Sequence, residues 1–236
     1  MLNNCFHTLE LKLMTVYPTS YRSIGNLTDW VVRVSIIMII LSVIDVAATS
    51  YLDFLGASNN TKSNNIYSAI GSFTSVITIL MVIIVLFWYY RATKNIHSFG
   101  AKDVTSPIMA VIWWFIPIAN LWKPYYISQQ LWKASRPEVK LPEATEWKKM
   151  PSSNIIKNWW ILALVSIFGS LVAGIVGGVG ISQIYNVDPE QIENSPSGTL
   201  IINMVTIPFL IISIISIIFF IRMIRQISNW QYLKSI

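Results

Sequence analysis

Four apolar runs, each of about 20 residues, constrain the fold of this chain more than any other feature of its sequence. They cover residues 30–52, 66–90, 159–181 and 199–221. A helix rises about 1.5 Å per residue, so each run is long enough to cross roughly 30 Å of hydrocarbon. The composition agrees, because 54% of the residues are hydrophobic and only 12% are charged. The sequence therefore predicts an all-α integral membrane protein with four transmembrane helices, TM1 to TM4.

The segment before TM1, residues 1–28, lacks a basic region followed by a sustained apolar stretch, so we predict no cleavable signal peptide. Its apolar residues recur at helical spacing and predict a short amphipathic helix docked on the membrane or the protein; they are Leu2, Phe6, Leu9 and Leu13. Cys5 is the single cysteine, which excludes an intrachain disulfide and a cysteine-based zinc site. Residues 29–236 are predicted to form the four-helix membrane domain.

The distribution of basic residues predicts the orientation of the four helices. Lys and Arg concentrate in cytoplasmic loops, and all of the 17 basic residues except Lys62 fall on one side of a four-span arrangement. The predicted outer loop 183–198 contains three acidic residues and no base. We therefore expect both termini in the cytoplasm.

The Pro- and Trp-rich stretch between TM2 and TM3, residues 106–135, is called the aromatic segment below. Its apolar core, residues 108–121, would rise only about 21 Å as a helix, and the loops on both sides of it are basic. We therefore expect a re-entrant or interfacial element in the cytoplasmic leaflet, where aromatic side chains such as Trp113 and Trp122 are favoured. Pro117 and Pro124 each remove a backbone donor. The resulting bend is either the lining of a cavity or gate, or a structural corner.

The stretches FWYYRATKNIHSFGAK and SPIMAVIWWFIPIANLWKPYYISQQLWKAS carry a recognisable pattern. Through Trp88, Gly100, Pro107 and Trp132, among others, the chain resembles the bacterial membrane family called domain of unknown function 4328. The resemblance implies a multi-pass bacterial membrane protein, which we expect in the cytoplasmic (inner) membrane, and brings no mechanism, ligand or cofactor with it. The candidate gate or structural residues within the pattern are Arg91, Asn95, Trp114, Pro117, Asn120 and Pro124. Arg91 and Asn95 share one helix face, and we hypothesise that they bond to carbonyl groups freed by the prolines.

TM3 contains a stripe of small residues at every fourth position, formed by Ser166, Ser170, Gly174, Gly178 and Ser182. Such a face lets another helix approach closely. Two alternatives stay open: TM3 packs on another helix of the same chain, or it self-associates to build a homo-oligomer.

Asp45 is an acidic residue well inside TM1, and a carboxylate in a membrane span usually has a partner or a purpose. Ser72, Ser75 and Asn203 are predicted at comparable depth and could hydrogen-bond to it. This candidate intramembrane polar site is either a cation or proton site facing a pore, or a neutral cross-link between helices.

The function classes can be narrowed from motifs. The sequence contains no HExxH, no GxSxG and no phosphate-cradling loop, so we predict no enzyme, no cofactor and no metal site. Lysines between TM2 and TM3 alternate with glutamates, so nucleic acid is not an expected partner, whereas the lipid bilayer is. Two hypotheses remain. One is an oligomeric channel or effector pore; the other is a scaffold or sensor that binds lipid or a protein partner through the aromatic segment.

Overall fold

The computed structural model describes residues 21–54, 61–139, 145–175 and 196–236. Within these residues the chain is helical and contains no strand, which confirms the all-α prediction. The helices are α1 Gly25–Phe54, α2 Thr61–Ser98, α3 Pro107–Ile112, α4 Lys123–Ser135, α5 Asn154–Ile175 and α6 Pro196–Leu233, with 3-10 turns at Ala119–Leu121 and Glu146–Lys149. The amphipathic helix predicted near the N-terminus, including Cys5, lies outside the described residues.

Four of these helices are long and apolar enough to cross a membrane, as the hydropathy pattern predicts. The candidate spans are Gly25–Ala48, Ser68–Ser98, Asn154–Val172 and Thr206–Leu233. Helices α2 and α6 continue well past the predicted runs, to Ser98 and Leu233. Hydropathy marks where the chain leaves hydrocarbon, whereas a helix ends only where the backbone is capped or broken.

Proline and glycine set the boundaries around the aromatic segment. Helix α2 is followed by Gly100 at φ 83°, and the N–H groups of Gly100 and Ala101 donate back to His97 and Ile96 at 2.9 and 3.1 Å. This Schellman-type cap turns the chain away from the helix axis. Pro107 then opens α3, with Ser106 as its N-cap. Pro124 lies in the first turn of α4, where a missing N–H is tolerated, so it begins a helix rather than interrupting one.

The chain divides into two compact units. The first, called the polar-core unit below, comprises Met1–Asp29, Val85–Asn154 and Arg222–Ile236. Its core combines large apolar side chains with buried polar ones. The apolar members that are fully buried include Trp88, Tyr89, Ile127, Leu131, Met223, Ile224 and Ile227; the polar members include Asn95, Ser128, Gln129, Gln130, Ser135 and Gln231.

The second unit, called the apolar unit, comprises Trp30–Ile84 and Ile155–Ile221. It exposes many large apolar side chains, including Ile36, Ile40, Val76, Ile79, Phe168 and Leu171. Two antiparallel helix pairs are visible in its contacts. Helices α1 and α2 meet where Ser35 Oγ lies 4.0 Å from Met81 Sδ and Thr78 Oγ1 lies 3.8 Å from Met38 Sδ. Helices α5 and α6 meet where Ser216 Oγ donates to the Trp159 carbonyl at 3.1 Å.

Candidate functional site: the aromatic segment and its support

The aromatic segment folds as two parts of opposite character. The first part runs through α3 and the following turns and exposes apolar side chains, with Phe115 at 67% and Ile118 at 70% exposure. The second part is α4, in which nine of the thirteen residues are buried. Neither α3 nor α4 is long enough to cross a bilayer, because thirteen helical residues rise only about 20 Å.

Helix α4 is held by side-chain amides that pair with backbone groups. Gln129 makes two bonds to Ser153: its Nε2 donates to the carbonyl at 2.9 Å, and its Oε1 accepts from the backbone N–H at 2.9 Å. Gln130 Oε1 accepts from both the N–H and the hydroxyl of Thr105, at 3.1 and 2.8 Å. A buried amide that satisfies several partners fixes its surroundings, because an unpaired buried group costs about 1–3 kcal/mol. These two glutamines therefore tie α4 to the chain segments before and after the aromatic segment.

A second cluster joins α2, α4 and α6 through Asn95 and Gln231, both almost fully buried. Asn95 Nδ2 donates to Gln231 Oε1 at 2.9 Å and to the Arg22 carbonyl at 2.9 Å. Gln231 Nε2 donates in turn to the Ala92 carbonyl at 3.1 Å and to Ser135 Oγ at 3.0 Å. The Asn95–Gln231 cluster therefore locks the end of α4 to the extended ends of two long helices.

Tyr89 connects the two parts of the aromatic segment. Its hydroxyl lies 2.7 Å from Ser128 Oγ, and Ser128 Oγ donates to the Pro124 carbonyl at 2.7 Å. Because the serine proton goes to Pro124, Tyr89 is the donor in its bond to Ser128. The Tyr89 ring also meets the Trp114 ring edge-on, with centroids 5.3 Å apart. The exposed first part and the buried second part thus share one support on α2.

The structure corrects the hypothesis for Asn95, which bonds to Arg22 and Gln231 and not to carbonyls freed by the prolines. Arg91 Nε is buried and has no hydrogen-bond partner among the described residues, and the same holds for Asn120 Oδ1. Pro117 lies exposed in the turn after α3. Of the predicted gate or structural residues, Trp114 and Pro124 are therefore brought together through Tyr89, while Asn95 belongs to another cluster.

Residues that the sequence reasoning did not single out carry most of this support: Tyr89, Ser128, Gln129, Gln130 and Gln231. The sequence does contain a pattern that indicates the burial of Gln231. Ile224, Ile227 and Gln231 recur at helical spacing and are all fully buried, so the glutamine continues an apolar face. A lone amide on such a face indicates a buried partner.

The predicted intramembrane polar site is partly described. Asp45 is exposed on α1, and Ser72 and Ser75 are exposed on α2. The pairing of Ser35 with Met81 and of Met38 with Thr78 sets an antiparallel register that brings Asp45 to the level of Gly71, next to Ser72. Ser75 Oγ donates to the Gly71 carbonyl at 2.8 Å within its own helix. Asn203 lies in α6, but its side chain is outside what the structure describes.

Part of the TM3 small-residue face is used within the chain. Ser166 Oγ donates to the Phe209 carbonyl at 3.2 Å, and a Cβ added at Gly169 would overlap the Phe209 ring. Ser170 is exposed on α5, where Gly174 also lies, whereas Gly178 and Ser182 lie outside the described residues. At Ser166 and Gly169, therefore, α5 packs on α6 of the same chain.

Two lysines of the polar-core unit make contacts of different kinds. Lys234 Nζ donates to the Ala134 and Arg136 carbonyls, at 2.9 and 3.2 Å, and so caps the C-terminal end of α4. Burial lowers the pKa of Lys234 to about 8, while the nearby Glu138 carboxylate acts in the opposite direction. Lys148 forms an exposed ion pair with Asp103 at 2.7 Å, and this contact lowers the pKa of Asp103.

Across the described residues no group of three or more His, Cys, Asp or Glu side chains is placed to hold a metal ion.

Comparison with known proteins agrees with the resemblance seen in the sequence. No curated protein and no solved structure matches the chain significantly. One family profile matches residues 54–229, which include the aromatic segment, Asn95, the candidate spans Ser68–Ser98 and Asn154–Val172, and most of Thr206–Leu233. The candidate span Gly25–Ala48 precedes the match. Because this match covers well over half of the chain, the protein belongs to the family described as Domain of unknown function (DUF4328).

Proposed function

We propose that this protein is a non-enzymatic, multi-pass protein of the bacterial cytoplasmic membrane that engages lipid through its aromatic segment and acts as a scaffold or sensor. The observation that carries the proposal is the division of the segment into an exposed apolar part and a buried part that is hydrogen-bonded through its serines and glutamines. The apolar side chains gathered on the exposed part are Ile108, Phe115, Ile116, Ile118, Leu121 and Trp122. A patch of this kind in a membrane protein is suited to acyl chains.

The flanks of this exposed part have the chemistry of an interfacial element. Lys123 Nζ lies 4.6 Å from the centroid of the Trp113 ring, and Tyr126, three residues further along the chain, is half exposed. Aromatic rings and long basic side chains favour the depth of lipid headgroups. We therefore place the exposed part in the cytoplasmic leaflet as a re-entrant or interfacial element, with both termini on the cytoplasmic side.

Contacts of the buried part could carry a change in the exposed part to the long helices α2 and α6. Tyr89 contacts Trp114 of the exposed part and Ser128 of α4, and α4 is bonded through Ser135 to Gln231. A change in how the exposed part sits in lipid would therefore act on α2 and α6, both of which contain candidate spans. This connection favours a sensor or scaffold over a passive anchor.

Spin labels test the lipid contact directly. With Cys5 replaced by serine, labels at Phe115 and Ile118 in reconstituted vesicles are expected to be accessible to oxygen and shielded from a water-soluble nickel relaxant. A label at Lys94, exposed on the polar-core unit, is the matched control and should show the opposite preference. Equal accessibility of Phe115 and Lys94 to the nickel relaxant would overturn the proposal.

A second candidate, the oligomeric channel, is favoured by one observation on the apolar unit. Asp45 on α1 and Ser72 and Ser75 on α2 are exposed at nearby levels of helices that can span a membrane. A carboxyl group exposed on a helix that can span a membrane is unfavourable in hydrocarbon, so a second copy or a water-filled path would stabilise this face. The test is ion flux into vesicles containing the reconstituted protein: flux that Asp45→Asn abolishes would support a channel, and no flux above empty vesicles would remove it.

A further inference from the structure

A groove of about 480 Å³ lies in the polar-core unit between the beginning of α1 and the end of α6. Its lining includes Ser23, which precedes α1, and Thr28 and Asp29 of α1. Helix α6 contributes Arg225, Asn229 and Tyr232. The volume falls within the range of roughly 300–1,000 Å³ that is typical of small-ligand sites. The lining is polar and carries one charge of each sign.

The two charges are available to a ligand. Asp29 and Arg225 are both exposed, and neither side chain makes a hydrogen bond or an ion pair with another described residue. Opposite charges that face one groove without neutralising each other suit a ligand that itself carries both signs. Thr28, by contrast, is already engaged, since it accepts from Trp88 Nε1 at 2.9 Å and donates to the Ile24 carbonyl at 2.9 Å. This bond fixes the wall of the groove beside Asp29.

The position of the groove identifies the class of ligand. Its α1 residues belong to the first turns of the candidate span Gly25–Ala48, and its α6 residues belong to the last turns of Thr206–Leu233. Ends of membrane spans meet lipid headgroups. An arginine binds phosphate oxygens, a carboxylate accepts from a primary ammonium, and the face of an exposed tyrosine attracts a cation.

We propose that this groove binds a phosphate joined to a primary amine, the chemistry of a phosphatidylethanolamine headgroup. Arg225 holds the phosphate, and Asp29 holds the ammonium group beside Tyr232. The inference deepens the proposed function by naming a headgroup, and it rests on the proposed lipid engagement only in assuming that the groove meets the membrane surface. It involves none of the aromatic segment's residues.

Native mass spectrometry of the full, delipidated chain in detergent tests the site by titration with dioleoyl phosphatidylethanolamine and dioleoyl phosphatidylglycerol. Arg225→Gln should weaken binding of both lipids by about tenfold. Asp29→Asn should weaken the ethanolamine lipid by about tenfold and leave the glycerol lipid unchanged, because only the first has an ammonium group. Matched controls are Arg222→Gln, on the same helix outside the groove, and Glu138→Gln, and both should bind like wild type.

Two further variants and a soluble competitor distinguish loss of the site from loss of the fold, and a lipid ligand from a free one. Arg225→Lys keeps the charge and should retain most binding, which distinguishes loss of the site from loss of the fold. If soluble phosphoethanolamine competes as well as the lipid, the site stands and its ligand is the free compound. Phe115→Ser should not alter ethanolamine-lipid binding, so failure of the aromatic segment to enter lipid would leave this result intact. Unchanged binding in both Asp29→Asn and Arg225→Gln, or equal loss in the controls, would overturn the proposal.

Discussion

The two units of this protein satisfy their polar groups in different ways. In helices α1 and α2 of the apolar unit, hydroxyl groups bond within their own helix: Ser42 to the Met38 carbonyl, Ser75 to Gly71 and Thr78 to Thr74, each at 2.8 Å. In the polar-core unit, amides bond across the chain, as Asn95 does to Gln231 and Gln129 does to Ser153. A hydroxyl group that bonds within its own helix does not depend on a residue far away in sequence. The amide bonds across the chain make each partner depend on such residues.

This difference has a physical cause. Hydrocarbon offers no hydrogen bonds, so a serine in a span is best satisfied by the carbonyl one turn before it. A unit with polar interior side chains gains a unique arrangement only when all members of its network are paired. We therefore expect the polar-core unit to be sensitive to amide substitutions, and the apolar unit to be sensitive mainly to changes of shape.

The largest expected effect is at Gln231. Gln231→Leu removes the acceptor of Asn95 and the donor to Ala92 and Ser135, and should lower the free energy of unfolding by about 3 kcal/mol. Gln226→Leu on the same helix is the control and should be nearly neutral, because no hydrogen bond of its side chain is found among the described residues. Denaturant unfolding in detergent measures both. Equal losses would mean that the Asn95–Gln231 cluster does not stabilise the unit.

A shape change in the apolar unit should have a smaller effect. Gly169→Ala places a Cβ against the Phe209 ring and should destabilise the protein by about 1–2 kcal/mol through overpacking. Gly71→Ala is the matched control, since nothing lies within 4 Å of its added Cβ. There the higher helix propensity of alanine should give a small gain. Melting temperatures that shift in the same direction for both variants would contradict the α5–α6 contact.

The smallest expected effect concerns Lys234. Its folded-state pKa of about 8 lies below the ordinary value of 10.5, so the unfolded chain holds this proton to higher pH. The contribution of Lys234 to stability should therefore rise between about pH 8 and pH 10.5, by about 1 kcal/mol after allowance for solvent screening of a partly exposed amine. Lys234→Gln should remove this rise. Parallel pH profiles for wild type and variant would contradict the assignment.

The sequence predicted the four apolar helices because the length and hydropathy of a span are local properties. It also predicted that prolines interrupt the aromatic segment. In the structure Pro124 instead begins α4, as Pro107 begins α3, because the first turn of a helix tolerates a missing N–H. The role of Asn95 was predicted wrongly. Its partner Gln231 lies 136 residues away, and no local pattern records that pairing. The exposed and buried parts of the aromatic segment are likewise set by contacts with Tyr89 that spacing alone does not reveal.

The most direct test of the central claim, that the aromatic segment leaves the membrane on the side where it enters, uses single cysteines in a Cys5→Ser background. Cysteines are placed at His97 before the segment and at Ser152 after it, both exposed positions. A third, at Ser63 in the predicted outer loop, is the control. In intact cells an impermeant thiol reagent should label the cysteine at Ser63 and spare the other two until the membrane is permeabilised. Labelling of the Ser152 cysteine in intact cells, with the His97 cysteine protected, would contradict the account.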